Sequence, residues 1–447
     1  MPSILWFRRD LRLSDHPALC AALADGERVI PLFVLDPSLL HPGGGPRVAF
    51  MLDCLRRLDA DLDGNLVVRT GDPVDVVPTL AREVEAGAVH ISADFNPYGR
   101  ARDERVAAAL GDTPLIPTGS PYAVSPGRIR KDDGEPYRVY TPFHRAWRAH
   151  GYPRPPERPT VRTVSGLRTD RLPARPDLTG VTLPAAGEQA ALQRWNDFRD
   201  ERLTRYAEDR NRPDLPATSR LSAYLRWGCL HPRTPLADLK GRTGKGAEVF
   251  GKELAWREFY ADVLFHRPDS AREHYLPRYT NLKVDTGKSA DARFTAWTQG
   301  RTGYPIVDAG MRQLLSEAWI HNRIRMVVAS FLVKDLHLGW KEGARHFMRH
   351  LVDGDLASNQ HGWQWTAGSG TDASPFYRVF NPVKQGQKFD PDGDYVRRYV
   401  PELRGIEGAA VHTPWELADP PAGYPEPIVD HHAERQEALE RYEAVKA

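Results

Sequence analysis

Asp353-Gly354-Asp355-Leu356-Ala357-Ser358-Asn359-Gln360-His361-Gly362-Trp363-Gln364-Trp365 places two carboxylates, an amide and two tryptophans within thirteen positions. Asp355 stands where an N-cap belongs and Gly368 near a helix end, so the pattern predicts a helix over 356–366. On that helix Asn359 and Trp363, four apart, share a face. Trp363 and Trp365 are separated by roughly 200° of rotation at 3.6 residues per turn. One indole can therefore face a bound ring system while the other opens onto a different cavity. Packing alone is a poor explanation for so much polar and aromatic chemistry on one short helix.

Outward from this stretch the pattern is helical back to about residue 190, with strand-like runs nearly absent. Three further constellations lie within it. Thr218-Ser219-Arg220-Leu221-Ser222 offers hydroxyls, backbone N–H groups and a guanidinium at a helix start, which suits a phosphate and equally suits an ordinary cap. Tyr206 and Arg210, four apart, could close the same pocket. Glu253, Trp256 and Arg257 fall at spacings of three and four, presenting a carboxylate, a flat ring and a cation on one face, a mixture that suits an extruded base. The plainer reading is a surface ion pair between Glu253 and Arg257. Trp319 to Met326, continuing through Asp335, puts Asn322 and Met326 on one face and lets Arg325 reach a buried acid.

The first 117 residues read differently. Short β-branched runs at Ile4 to Phe7, Val29 to Val34, Leu66 to Arg69, Ala88 to Ala93 and Leu115 to Pro117 alternate with amphipathic patterns such as Arg47 to Leu62 and Val74 to Glu85. That alternation predicts βα units on a parallel sheet. The first strand runs into Arg8-Arg9-Asp10-Leu11-Arg12 with no glycine-rich turn, which disfavours dinucleotide binding there. The fold class is therefore a doubly wound, Rossmann-like α/β domain over 1–125 and an all-α domain over 196–447. Between them, 126–195 is a Pro- and Arg-rich connection draped over the surface, with one helix near Tyr140 to His150.

At 447 residues, with 41% hydrophobic and 27% charged residues and a net charge of +2, the chain is a soluble two-domain protein with no membrane span or signal pattern, hence cytoplasmic. Near-neutral charge means that any nucleic-acid contact must rest on a local patch. Cys20, Cys54 and Cys229 lack metal or disulfide spacing and read as reduced core residues.

The four constellations, in their order along the chain and together with Arg8 to Arg12 and Val411-His412-Thr413-Pro414-Trp415, resemble the photolyase/cryptochrome family over nearly the whole chain, in particular its class I cyclobutane pyrimidine dimer photolyases. The resemblance implies an N-terminal antenna domain over 1–125 and a helical domain binding FAD in a bent conformation. It implies FAD contacts from Tyr206, Thr218, Ser219, Arg220, Leu221, Ser222, Phe250, Asn322, Arg325, Asp353, Asp355 and Asn359, with Asp353 paired to Arg325. In the family, excited reduced flavin lends an electron to a flipped dimer, the dimer bonds break and the electron returns, with no acid–base triad. Glu253, Trp256, Met326 and Trp365 would receive the lesion, and Arg210, Arg257, Asn322 and Gln385 would contact DNA.

Glu253, Asn359, Trp363 and Trp340 are the implied catalytic set, and no metal is implied. The (6-4) enzymes carry histidines where Asn322 and Met326 stand, and plant-type cryptochromes carry an acid at Asn359, so repair of cyclobutane dimers by a monomer is expected over the alternative, a cryptochrome-type blue-light receptor without repair. Trp363 and Trp340 match the inner two of the family's three photoreduction tryptophans. Where the outer one should stand, ahead of Trp297, the chain has Val284-Asp285-Thr286-Gly287-Lys288, and Tyr279 is a candidate exit. Asn96-Pro97-Tyr98-Gly99-Arg100-Ala101-Arg102-Asp103 resembles members whose antenna is 8-hydroxy-5-deazaflavin or FMN rather than methenyltetrahydrofolate, with Tyr98, Arg102 and Arg47 as contacts.

Overall fold

The computed structural model describes residues 1–26, 28–371 and 377–445. Five strands, β1 (Ser3–Phe7), β2 (Val29–Leu35), β3 (Val67–Thr70), β4 (Ala88–Ile91) and β5 (Leu115–Pro117), form one sheet. The order is β3-β2-β1-β4-β5, every neighbouring pair parallel. β1, β2 and β4 are buried at every position, which is why they read as continuous apolar runs rather than alternating ones. The order in which strands are added reverses between β1 and β4, so the crevice beyond their carboxyl ends is bordered by the Arg8 and Ser92 loops.

From Glu188 onward the chain is helical, broken by short 3-10 turns. One apolar cluster runs from Leu5 and Phe7 on the sheet through Phe50 to Tyr224, Phe250 and Phe259, so sheet and helices share a core. A second cluster, around Trp297, Val328, Trp340 and Trp363, lies within the helical part. The helix Asn322–Ser330 continues as expected to Asp335, but its last turn widens into a π-helix over Phe331–Asp335. That turn sets Lys334 and Asp335 inside, at 4% and 0% exposed, and Asp335 meets His431 of the C-terminal helix at 2.5 Å.

The connection departs from a surface drape. Its helix forms at Tyr140–His150 as read, but Tyr122, Ala123 and Val124 ahead of it, and Tyr140, Phe143 and Trp147 on it, are buried. The cause is a buried acid: Glu258 accepts the backbone N–H groups of Ala123 and Val124 and the Trp147 indole N–H. Backbone amides drawn into a core need such acceptors.

The Arg8–Arg12 run fastens the two parts. Arg9 reaches Asp355 at 2.6 Å, the Leu11 N–H donates to the Trp227 carbonyl, and Arg12 donates to the Gly228 carbonyl. Gly228 lies at φ +67° with its missing Cβ position 2.0 Å from the Arg9 carbonyl oxygen, so conformation and contact both demand glycine. Cys54 and Cys229, both buried, face each other across this junction with sulfurs 3.5 Å apart. No described helix is long and apolar enough to cross a membrane, and no metal-ligating cluster occurs among the described residues.

Candidate active site

The helix over the opening stretch spans Leu356–Ala367, capped by Asp355 accepting from the Ser358 N–H and closed by Gly368 in the left-handed conformation. Just ahead of it Asp353, 6% exposed, takes a 2.7 Å ion pair from Arg325, while its other oxygen has no partner among the described residues. Asp355 is held by Arg9. Burial works against its ionisation, but Arg9, with Arg226 and Arg257 behind it, keeps the carboxyl far below the usual range. Arg226 donates to the Gly354 carbonyl at 2.9 Å and keeps one buried nitrogen unpartnered. Arg47, expected at an antenna, instead crosses to the Met348 carbonyl at 2.6 Å and approaches the Gly354 carbonyl. Its guanidinium, pushed down to about 10 by burial, supplies donors that buried carbonyls require.

Asn359 donates its amide to the Ala344 carbonyl and to Gln360. Trp363 is 2% exposed, wedged at 5.0 Å from Phe347 and 6.1 Å from Trp297. Gly343 lets the Trp340–His350 helix approach, since a Cβ there would sit 2.2 Å from the indole. The indole nitrogens of Trp363 and Trp340 are buried without partners among the described residues. Tyr279 stacks on Tyr442 at 5.5 Å with their hydroxyls 2.9 Å apart, and Tyr442 stacks on Tyr377 at 4.0 Å. Tyr377 and Trp340 line one cavity.

On the Lys245–His266 helix, Glu253 pairs with Arg210 at 2.7 Å rather than with Arg257; burial pushes its carboxyl up despite that partner. Trp256 lies flat on Tyr140, centroids 3.7 Å apart and planes at 8°. Arg257, expected to face phosphate, turns inward to the Pro121 and Leu225 carbonyls and over the Tyr122 ring. Phe250 stacks on Trp195 and meets Tyr206 edge-on. Thr218 to Ser222 lead into a helix of only six residues, Ser222–Trp227. Arg220 spends its charge on Glu317 at 2.8 Å and on the face of Trp319. Asn322 is exposed at a helix start, and Met326, Trp365 and Gln385 are half-buried.

Two family models match, "DNA photolyase" over residues 3–160 and "FAD binding domain of DNA photolyase" over 250–444. A deoxyribodipyrimidine photo-lyase of Streptomyces griseus is 41% identical across 96% of each chain. The chain belongs to the DNA photolyase family. Among solved photolyases, a bacterial class III enzyme from Agrobacterium tumefaciens superposes with a TM-score of 0.92 at 39% identity, covering 100% of this chain and 98% of its own. An archaeal photolyase from Sulfolobus tokodaii, solved with two FAD molecules, gives 0.84 at 30%, covering 99% and 100%.

The residues fit a photolyase flavin. Asp353 offers a buried acceptor and Arg226 a buried donor, each lacking a partner among the described residues, and a Cβ at Gly362, mid-helix, would meet no atom within 4 Å. Tyr98 and Arg102 share the Pro97–Ala109 helix at the mouth of the β1/β4 crevice. Tyr98 donates to Asp36, and Arg102 lies over Trp6 and pairs with Asp103, which also holds Arg8. Sequence reasoning missed Arg226, Glu258 and the role of Arg9. Glu258 directly follows Trp256 and Arg257 on the same helix, and only the apolar Phe259 and Tyr260 beyond it hinted that it was buried.

Proposed function

We propose that this chain is a deoxyribodipyrimidine photo-lyase, a carbon–carbon lyase that splits cyclobutane pyrimidine dimers in DNA under blue light, working as a cytoplasmic monomer. The observation that carries the reading is Asp353: a buried carboxylate tied to Arg325 on one oxygen and unpartnered on the other, beside a helix bearing Asn359 and backed by the sealed indole of Trp363. FAD, when bound and reduced, supplies the light-excited electron. Tyr206, Thr218 to Ser222, Phe250, Asn322, Arg325, Asp353, Asp355 and Asn359 would hold it, the two aspartates from opposite ends of one short turn.

The chain's own residues bind and orient the lesion. Trp256, braced by Tyr140 beneath it, is a rigid stacking platform, and a base already poorly stacked costs less to extrude onto it. Glu253, drawn toward Arg210, presents a carboxyl to the dimer's polar edge, with Met326 and Trp365 as apolar walls. Asn322, Gln385 and, beyond its ion pair with Glu253, Arg210 would meet DNA, whereas Arg257 braces the pocket from behind. Neither Asn322 nor Met326 titrates, which favours cyclobutane dimers over lesions whose repair moves a proton. Trp363 and Trp340 lead inward electrons from the Tyr377–Tyr442–Tyr279 stack. Tyr98 and Arg102, at the sheet's switch point, favour 8-hydroxy-5-deazaflavin or FMN as antenna.

The test is repair of a thymine-dimer oligonucleotide by the flavin-loaded protein under blue light and in darkness. Light-dependent repair is expected, falling about tenfold or more in Glu253→Ala through one lost charged hydrogen bond. Intact flavin binding with no repair would instead favour a blue-light receptor.

A further inference from the structure

A cavity of about 280 Å3 opens beside Trp340 among the described residues. Leu282 and Val333 give it apolar walls and the Trp340 indole one side. Trp340 is 3% exposed, and its ring N–H, like Nδ1 of His274, is buried without a partner among the described residues. The His274 ring meets Trp340 edge to face at 5.9 Å. Lys283, Lys341, Arg345 and Arg441 ring the cavity against one lining carboxylate, that of Glu342. Arg441 is held by Asp285 and Glu437, and Lys341 by Glu273. Lys283 and Arg345 enter no ion pair among the described residues.

These features specify an occupant. An apolar slot walled by an indole takes a planar ring. Unpaired cations at the mouth want a phosphate. The volume suits one ring, its sugar and one phosphate, and is small for a dinucleotide.

We propose that this cavity docks a reduced nicotinamide nucleotide, its ring against Trp340, as an electron donor to that tryptophan. The proposal rests on the photolyase reading, in which Trp340 loses an electron toward Trp363 and the light-excited flavin. The dihydronicotinamide then gives one electron to oxidised Trp340, restoring the neutral indole, and releases its ring proton to solvent. The nucleotide leaves with one electron still to lose, which passes to dissolved dioxygen.

Flavin-loaded protein is titrated in the dark with reduced nicotinamide mononucleotide and, in parallel, with the riboside lacking phosphate, following nicotinamide fluorescence. Saturable binding of the nucleotide is expected, weakened about tenfold or more for the riboside and for Lys283→Glu/Arg345→Glu, and abolished by Leu282→Trp, which fills the slot. Under blue light, nucleotide oxidation by the wild type should exceed that of Leu282→Trp at least fivefold. Absence of saturable binding, or equal affinity in wild type and both variants, overturns the dock; equal photo-oxidation overturns the donor role. Dimer repair is assayed on the same preparations. Its loss in a wild type that still binds the nucleotide sinks the photolyase reading, while lost binding with intact repair sinks only the dock.

Discussion

Gly343→Ala sets two effects of opposite sign against each other. Alanine in a helix interior gains about 1 kcal/mol over glycine. At this position the new Cβ would stand 2.2 Å from Trp363 Cη2, 2.5 Å from Trp363 Cζ3 and 2.5 Å from Leu332 Cδ2. Carbon atoms rest at about 3.5–4.0 Å, so something must yield by about 1.3 Å. Trp363 has nowhere to go, with Phe347 at 5.0 Å and Trp297 at 6.1 Å. Overpacking of this kind costs about 1–3 kcal/mol, enough to cancel or exceed the helix gain. Gly251→Ala is the matched control: it also lies inside a helix, and its Cβ would meet only Leu239 Cδ1 at 3.9 Å. Urea unfolding of both variants beside the wild type should show Gly251→Ala more stable by about 0.5–1 kcal/mol. Gly343→Ala should be unchanged to about 2 kcal/mol less stable, with slower photoreduction because the indole is displaced. If Gly343→Ala gains as much stability as Gly251→Ala with an unchanged m-value, the close approach is not real and the sealed Trp363 site falls with it.

Asp355→Asn removes the buried partner of Arg9 while keeping a capping side chain, and should cost about 3–5 kcal/mol with looser flavin retention; a loss below about 1 kcal/mol in thermal or urea unfolding would contradict a clamp at this junction. Lys334, pushed down to about 7 by burial, is neutral in the fold and protonated when unfolded between about pH 7 and its ordinary value. In that window the unfolded state binds more protons, so stability should rise with pH by up to about 1.4 kcal/mol per unit. Lys334→Met should flatten that rise, and a slope unchanged in the variant would show that the lysine is hydrated. Binding of dimer-containing duplex should weaken as salt rises, with a log–log slope shallower by about 1 in Arg210→Gln; an identical slope would remove Arg210 from the phosphate contacts. Trp340→Phe should abolish flavin photoreduction and Tyr442→Phe should shorten the radical lifetime, both read by transient absorption, and an unchanged radical yield in Trp340→Phe would reject the route.

What could be read along the chain was what neighbours in sequence decide. The Leu356–Ala367 helix was legible because Asp355 and Gly368 mark its ends, and Tyr140–His150 because its apolar residues fall on one face. Strands β1, β2 and β4 were legible because a sheet covered on both faces writes unbroken apolar runs. Partner choice was not. Helical spacing puts Arg257 within reach of Glu253, yet Glu253 takes Arg210, 43 positions away, while Arg257 is claimed by the Pro121 and Leu225 carbonyls. Arg47 and Arg9 follow the same rule. A guanidinium beside an unpaired buried carbonyl or carboxylate gains more there than at a surface site, because the alternative leaves that group desolvated and alone. Residue type and order therefore announced the chemistry of the site, while competition among buried acceptors assigned each cation its task. That competition draws on pairs up to 346 positions apart, a separation over which no local pattern carries information. The Asp353–Arg325 ion pair that the resemblance implied does form, across only 28 positions.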